Sequence, residues 1–370
     1  MKFTCEKYQL QAACATASRA AAGKSPIPAL EGLYISANDR VTVKGYDLKK
    51  GIYTSIDADI AQRGAVVVGA RLFREMLRRM PDGIVSFEVD EKNNISVRCG
   101  RSNFNIMGIS ADDYPEMPSF DAVNNVSLPQ NILKNMINQT LFAVSADEVR
   151  PIYTGTLFEI EGDELNLVSV DGYRLAKRSE NLESAEMEDC SFVVPGSALS
   201  DVEKICSDED ENVKISVGNK HVNFAIGDTV VIARRLEGEF LNYRKSIPDT
   251  FKYELKVDRG EFISTIDRVS LIVSEKNSSP VRMTLSDGTI NCLCVTPIGR
   301  AEDVCVCEGN GEDLEIGFND RYMKDALKAA GVDELKICVN TASSPCIVKA
   351  ADGSDKFTYM ILPVRLRAGS

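Results

Sequence analysis

Several features that mark common enzyme classes are scarce or missing in this sequence. The 370 residues contain no tryptophan and a single histidine, His221, in an alternating segment typical of a strand. A catalytic triad that needs a histidine base therefore has little material. The densest glycine stretch, Gly309-Asn310-Gly311, is typical of a turn and does not resemble a phosphate-binding loop. These gaps disfavour histidine-dependent hydrolases and nucleotide hydrolases.

Long apolar runs and a disulfide framework are missing as well. No segment approaches the roughly 18 apolar residues that cross a membrane, and the first residues contain no apolar export signal. The 11 cysteines have no framework spacing, so we expect reduced thiols, a cytoplasmic location and no membrane contact. Cys292/Cys294 and Cys305/Cys307 alternate within apolar segments, which predicts buried strand residues. We therefore predict no metal and no cofactor.

The charge of the chain is strongly negative, with a formal net value of -12 and a pI near 4.9. This average disfavours nucleic-acid binding, but it does not describe how the charge is distributed. A helix predicted at Ala70–Met80 carries Arg71, Arg74 and Arg78 on one side. The predicted apolar side of this helix consists of Leu72, Phe73, Met76, Leu77 and Met80. For one helix, a solvated surface explains such a basic face adequately.

The basic face recurs because the whole sequence pattern recurs three times. In each third, a strand-like segment leads into a first helix, and a second such segment leads into a second helix. The segments before the second helices are Val66–Val68, Phe192–Val194 and Ile316–Phe318. Aligning them places Arg71, Arg74 and Arg78 opposite Ser197, Ser200 and Lys204, and opposite Arg321, Lys324 and Lys328. Two of the three faces are basic, and the middle one carries no acid at these positions.

Short alternating runs between the helices predict mostly antiparallel strands. We therefore assign the α+β class, with three repeated domains of two helices packed on antiparallel sheets. The predicted domains are residues 1–120, 121–247 and 248–370, and prolines mark the linkers between them.

Three equal units leave an open strand edge at each end, and such edges must be paired or covered. A head-to-tail contact between two chains would close a ring of six domains. With the helices inside, the acidic stretches Glu183–Asp189 and Ser207–Glu211 would face outward. A cationic lining suits sequence-independent, salt-sensitive binding of duplex phosphates. The predicted DNA-binding residues are Lys24, Arg71, Arg74, Arg78, Lys134, Lys204, Arg321, Lys324 and Lys328.

Several short motifs follow one another in order along all three repeats. They are Met1–Thr4, Asp47-Leu48, Gly100–Phe104, Asp112–Pro115, Asp171–Ala176, Phe240–Tyr243 and Tyr359–Leu366. Together they resemble the β subunits of bacterial DNA polymerase III, the β sliding clamps, essentially from end to end. The resemblance implies a DNA polymerase processivity factor without a catalytic site. Such a factor is a homodimeric ring that encircles double-stranded DNA, slides along it and tethers the replicative polymerase. An ATP-dependent clamp-loader complex opens and closes it.

The resemblance also implies a hydrophobic cleft between the second and third domains. In the family this cleft binds short peptides of polymerases, the clamp loader and repair proteins. The matching residues are Tyr153, Val170, Gly172, Tyr173, Arg174, Leu175, Leu241, Lys245, Ser246, Asn319, Tyr322, Met360, Ile361, Leu362, Pro363, Val364 and Arg365. Tyr173 replaces a common His, and Tyr153, Lys245 and Ser246 replace more typical Leu, Arg and Val. These departures predict an altered peptide preference.

Two other functions stay open at the level of the sequence. An enzyme could use Asp171 and Arg174 as a polar pair in a cleft, and substitution of Asp171 by Ala would then abolish turnover. A protein-binding scaffold could carry the same groove without ever encircling DNA. Charge reversal at Arg71, Arg74 and Arg78 would leave DNA-dependent function unchanged for such a scaffold.

Overall fold

The structure is a computed structural model that describes residues 1–120, 123–182, 189–274 and 279–366. Within these residues, two α-helices lie in each repeat, as the sequence predicts. They are α1 (Lys7–Ala17), α2 (Ala70–Arg79), α3 (Gln130–Asn138), α4 (Gly196–Ile205), α5 (Arg259–Val269) and α6 (Asp320–Ala329). No helix in the described ranges has the length and apolar character needed to span a membrane.

Short strands surround each helix pair. The first third contains β1 (Lys2–Glu6), β2 (Gly32–Ala37), β3 (Val41–Tyr46), β4 (Lys50–Ile56), β5 (Asp59–Gln62), β6 (Gly64–Gly69), β7 (Ile84–Val89), β8 (Asn94–Cys99) and β9 (Ser102–Met107). The middle third contains β10 (Asn124–Pro129), β11 (Gly155–Glu161), β12 (Glu164–Val170), β13 (Arg174–Asn181), β14 (Cys190–Pro195), β15 (Asn212–Val217), β16 (His221–Ile226) and β17 (Thr229–Arg234). The last third contains β18 (Tyr253–Asp258), β19 (Val281–Ser286), β20 (Thr289–Thr296), β21 (Gly299–Glu308), β22 (Leu314–Phe318), β23 (Glu334–Val339), β24 (Cys346–Ala350) and β25 (Phe357–Ile361).

The element order repeats in all three thirds, and the named strands pair in antiparallel fashion. This confirms the predicted class and the threefold pattern. The short strand β5 is an addition that the sequence did not predict. Its four residues are largely exposed, so they lack the apolar alternation of a half-buried strand.

The described chain divides into two compact units that do not follow the repeats. One consists of residues 1–134 and 200–235, and the other of residues 135–199 and 236–370. The first contains the sheets β5-β1-β7-β8-β9 and β10-β15-β16-β17-β4-β3-β2-β6. The second contains the sheet β14-β11-β12-β13-β25-β24-β23-β18-β21-β20-β19-β22. The middle third thus contributes strands to both units, because β17 pairs with β4 and β13 pairs with β25. The predicted boundaries at 120/121 and 247/248 stay a prediction.

Each unit has its own apolar core. In the first, the rings of Phe3 and Phe87 stack with centroids 5.0 Å apart, and Phe73 meets Phe87 edge-on. In the second, α5 and α6 pack on a sheet that includes the four strand cysteines. Those cysteines are buried, as their spacing predicts. Among the described residues, no cluster of His, Cys, Asp and Glu could hold a metal ion.

Helix α2 differs from its prediction in two details. It ends at Arg79, and Met80 is its extended C-cap residue. Phe73, Met76 and Leu77 are buried as predicted, but Leu72 is 57% exposed. Leu72 points about 100° around the helix from the buried Phe73, at the border of the apolar stripe, so its side chain faces solvent.

Candidate nucleic-acid and peptide interfaces

The second helix of each repeat begins at an equivalent position, so the aligned cations fall in the same turns of α2, α4 and α6. On α2, Arg71 and Arg74 are exposed and form no ion pair with any residue that the structure describes. Arg78 differs, because its Nη2 lies 2.7 Å from Glu75 Oε2. Glu75 also pairs with Arg79 at 3.4 Å. The basic face of α2 therefore has two unpaired cations, and its last turn is partly neutralised.

Helix α6 shows the same division between unpaired and paired cations. Arg321 and Lys328 are exposed and, within the described ranges, have no ion-pair partner. Lys324 lies 2.9 Å from Asp320 and 3.3 Å from Asp267, and it donates a hydrogen bond to Ser270. Burial lowers the pKa of Lys324, but its two carboxylate partners outweigh burial and raise it. Lys324 is thus largely engaged inside the protein.

The middle repeat is the weakest of the three in available positive charge. Lys134 on α3 lies 2.8 Å from Asp208, and this bond raises the pKa of Lys134. Asn131, one turn earlier, donates to Asp210 at 2.7 Å. Two carboxylates of the acidic stretch Ser207–Glu211 thus contact α3, and the expectation that this stretch faces outward from a ring stays a prediction. Of the other acidic stretch, residues 183–188 lie outside the described part of the chain.

Of three further cations, two are exposed and one is buried. Lys204 on α4 is exposed, donates to Ser200 at 3.0 Å and has no ion-pair partner among the described residues. Lys24 is exposed in the loop after α1. By contrast, Lys7 at the start of α1 is buried and pairs with Asp82 at 3.1 Å. Lys7 therefore holds the helix start in place and is not available to a phosphate.

Most residues matched to the peptide cleft come together within the second compact unit. Its centre is Arg174, the first residue of β13, which is 9% exposed. The guanidinium donates to Asp171 at 3.0 Å, to Asp325 at 2.6 Å and to the carbonyl of Phe142 at 2.6 Å. It also lies 4.5 Å from the ring centroid of Tyr322, within the range of a cation–π contact.

The turn before Arg174 gives the site its shape. Asp171 Oδ1 accepts hydrogen bonds from the backbone amides of Tyr173 and Arg174 at 2.9 and 3.0 Å. Gly172 has a φ of +90°, which a glycine adopts without strain. The turn leaves Tyr173 62% exposed, stacked 6.1 Å from Tyr322. These two rings form an exposed aromatic surface above a fixed cation.

An apolar cluster adjoins the turn. Val170, Leu175 and Met360 are buried in it, and several half-buried side chains cover them. The half-buried members include Tyr153, Leu241, Leu362 and Phe240. Tyr153 meets Phe240 edge-on with centroids 5.5 Å apart. The cluster can accept an apolar side chain of a ligand by displacing part of this half-buried cover.

The remaining matched residues have varied positions. Lys245, Val364 and Arg365 are exposed, while Ser246 and Pro363 are half-buried. Asn319 caps α6, since its side chain accepts from the amides of Arg321 and Tyr322. Ile361 is 1% exposed, like Leu175, but it packs in the main core of this unit instead of the apolar cluster. Strand alternation explains this difference, since Met360 and Ile361 are consecutive in β25 and face opposite sides of it.

Three contributors to this site were not found from the sequence. Asp325, Phe142 and Phe240 each contact a matched residue, but they lie on separate elements far apart in the chain. The one sequence signal that could have identified Asp325 is its position one helical turn after the matched residue Tyr322. Nothing in the sequence indicates that a backbone carbonyl at Phe142 accepts from Arg174.

The groups considered for catalysis have other tasks in the fold. The Asp171–Arg174 pair closes the turn, and its hydrogen-bonding capacity is used by backbone amides and by Asp325. Burial, followed by the charges of Arg234 and Lys220, lowers the pKa of His221. Burial raises the thiol pKa of Cys5 to about 12 and that of Cys305 to about 11, which disfavours reactive thiolates.

Comparison with known proteins gives a consistent family assignment. Family models of the DNA polymerase III beta subunit match residues 1–118 (N-terminal domain), 127–242 (central domain) and 244–365 (C-terminal domain). The beta sliding clamp of Bacillus subtilis is 32% identical over 377 residues, covering 99% of this chain and 100% of that protein.

Solved structures agree with the sequence comparison. The DNA polymerase sliding clamp from Bacillus subtilis superposes with a TM-score of 0.95 at 32% identity, covering 99% of this chain and 100% of that one. A sliding clamp from Pseudomonas aeruginosa bound to griselimycin superposes with a TM-score of 0.94 at 26% identity. The match covers 99% of this chain and 100% of that one. The chain therefore belongs to the DNA polymerase III beta subunit family, the beta sliding clamps.

Proposed function

We propose that this chain is a DNA polymerase processivity factor that acts as a homodimeric ring around duplex DNA. The ring slides along the duplex and tethers the replicative polymerase through the peptide site around Arg174. It catalyses no reaction, and it works in the cytoplasm. The clamp loader and repair proteins reach it through the same peptide site.

One observation carries the DNA-binding part of this proposal. Arg71 and Arg74 on α2 and Arg321 and Lys328 on α6 are exposed at equivalent helix positions in a chain of net charge -12. None of these four has an ion-pair partner among the described residues. Unpaired cations held at fixed intervals suit phosphates of any sequence, because phosphate contacts position a duplex without reading its bases. Lys24 and Lys204 are also exposed and would contribute, whereas Lys134 would add less because Asp208 pairs with it.

Two open strand edges support head-to-tail closure of the ring. Among the described strands, β9 pairs only with β8 and forms one end of its sheet. Residues 299–305 of β21 pair only with β20 in the described chain. The equivalents of β21 in the other repeats, β4 and β13, pair with β17 and β25. By the same pattern, β21 would pair with β9 of a second chain.

The aromatic surface and its apolar cluster support the tether. Exposed Tyr173 and half-buried Tyr322 offer flat, rigid contact area, and the cluster below Leu362 offers a place for a leucine or aromatic anchor. An extended peptide with such anchors fits this chemistry. The structure of the Pseudomonas relative with griselimycin makes that compound a suitable probe.

A primer-extension assay tests the proposal. The cognate polymerase is supplied with a primed circular template, its clamp loader and this chain. We expect long products in single binding events with the native chain. With the Tyr322→Ala variant we expect short products, because the aromatic surface is lost. Products of unchanged length with and without the chain would contradict the proposal.

A further inference from the structure

Two ion pairs, one formed by a lysine and one by an arginine, occur at equivalent places in the repeats. Lys50 is the first residue of β4, and Arg174 is the first residue of β13. Lys50 pairs with Asp201, the sixth residue of α4, within the first compact unit. Arg174 bonds to Asp325, the sixth residue of α6, at 2.6 Å within the second. In both, a cation at the start of a strand meets an acid in the second helix of the next repeat.

The turns before the two cations are also alike. Asp47 Oδ1 accepts from the amides of Lys49 and Lys50 at 2.9 and 2.8 Å, as Asp171 does for its own turn. The residue after each aspartate has positive φ, +72° at Leu48 and +90° at Gly172. The two ion pairs are therefore copies of one structural device.

The copies differ in what surrounds the cation. Arg174 lies under the ring of Tyr322 and 5.3 Å from the ring centroid of Phe142. The second neighbour of Asp201 is another cation, Arg19, at 3.8 Å. Lys50 has no aromatic ring over it in the described ranges. One copy thus carries an aromatic surface, while the other joins elements of the first compact unit.

We propose that Asp325 is a positioning residue of the peptide site, an inference that rests on the proposed function of that site. Its carboxylate fixes one arm of the Arg174 guanidinium, and Asp171 and the Phe142 carbonyl fix the others. Because the guanidinium is planar, these bonds set its orientation under Tyr322. Tyr322 in turn stacks with Tyr173, so Asp325 holds the aromatic surface in its binding position.

Asp325 acts without touching the ligand. Its side chain lines a separate depression of about 390 Å³, together with Asn135, Gln139 and Lys328. Neither Tyr173 nor Tyr322 lines this depression. Loss of the carboxylate therefore changes ligand affinity through Arg174 and not through a lost ligand contact.

The test compares Asp325→Asn with Asp201→Asn in the full chain, with fluorescently labelled griselimycin as the probe. We expect Asp325→Asn to weaken probe affinity by about tenfold or more, as for the loss of a charge-assisted hydrogen bond. Asp201→Asn should leave the affinity unchanged while it lowers the thermal midpoint to a similar extent. Equal affinity of Asp325→Asn and native chain, or equal weakening by both variants, would overturn the inference.

A double-mutant cycle separates positioning from a general structural effect. In the Tyr322→Leu background, Asp325→Asn should cause no further loss of affinity, since the ring that it positions is absent. Additive losses would contradict the inference. If Asp325→Asn does not fold, Asp325→Glu takes its place in the cycle, because it keeps the charge but shifts the carboxylate away from Arg174 by one methylene. Failure of the native chain to bind the probe would instead refute the proposed peptide site, and the inference with it.

Discussion

Gly172 determines the backbone conformation of the turn that shapes the peptide site. It lies between Asp171, which accepts two backbone amides, and Tyr173, which presents its ring to solvent. A Cβ added at Gly172 would meet no atom within 4 Å. Any effect of a side chain there therefore comes from the backbone conformation and not from a clash.

Gly172→Ala should lower both stability and ligand affinity. The positive φ costs a residue with a Cβ about 1–2 kcal/mol, and relaxation of the turn would shift Tyr173. We expect about threefold to tenfold weaker griselimycin binding, measured by titration of the labelled compound.

Gly162→Ala is the matched control for this substitution. Gly162 also has a positive φ, +56°, and open space around its Cβ position, but it lies in the β11–β12 hairpin. It should lose similar stability and keep full affinity. Native affinity in Gly172→Ala would show that the turn does not shape the site.

Residue roles could be predicted from the sequence where they depend on neighbours in the chain. The burial of the strand cysteines depends on local pattern, and the structure places them as expected. The burial of Ile361 and the contact of Asp325 with Arg174 depend on packing between distant segments. Residue-by-residue matching to a family names positions, but it does not say which side of β25 faces the ligand.

At the scale of elements, α2 and α6 each combine an apolar face with two unpaired cations. The period of the helix was readable from the sequence, and so was the equivalence of the three second helices. The pairing state of each cation was not readable. Lys324 is neutralised by Asp267 from α5, and Lys134 by Asp208 from a loop, so tertiary contacts decide which charges remain available.

Removing unpaired cations should reduce the salt dependence of DNA binding by an amount set by the number of cations removed. Each phosphate contact contributes about 0.9 to the slope of log affinity against log salt concentration. The Arg71→Ala/Arg74→Ala double variant should therefore reduce the slope by about 1.8. The measurement is fluorescence anisotropy of a short labelled duplex over a salt series.

Lys324→Ala is the control for this series, since Lys324 is held by Asp320 and Asp267. It should leave the slope nearly unchanged. An equal reduction in slope by Lys324→Ala and by either single arginine variant would mean that the pairing seen here does not limit DNA contact.

At the scale of the whole molecule, the strand register at the two internal repeat junctions predicts the register between two chains. Thr54 lies opposite Thr229 at one junction, and Arg178 lies opposite Phe357 at the other. Asp303 holds the position of Thr54 and Arg178, because it lies opposite Cys292 in its own hairpin. In the equivalent hairpins of the other two repeats, Thr54 lies opposite Val43 and Arg178 lies opposite Leu167.

The same reasoning identifies the partner position in β9. Ser102 follows the β8–β9 turn as Thr229 follows the β16–β17 turn, and the two stand opposite Cys99 and Ile226. Asp303 should therefore lie opposite Ser102 of the second chain. Because the two strands would be antiparallel, Ala301, two residues before Asp303, should lie opposite Phe104, two residues after Ser102.

A chain carrying Ala301→Cys and Phe104→Cys should form a disulfide-linked dimer on oxidation. The product is read as a band of doubled mass on a non-reducing gel. The control pair, Ala301→Cys with Ser102→Cys, is shifted by two residues and should link poorly, because Cα atoms more than about 7 Å apart are not bridged. Efficient linking of the control alone would place the chains in a different register.

The central claim, a closed ring around DNA, is tested most directly by retention on circular and linear DNA. The chain is loaded by its clamp loader onto a nicked circular plasmid, separated from free protein, and half of the sample is cut once with a restriction enzyme. The account predicts that the chain stays on the circle and is lost through the ends of the linear form. Equal retention on both forms would contradict it and would favour a scaffold that binds DNA without encircling it.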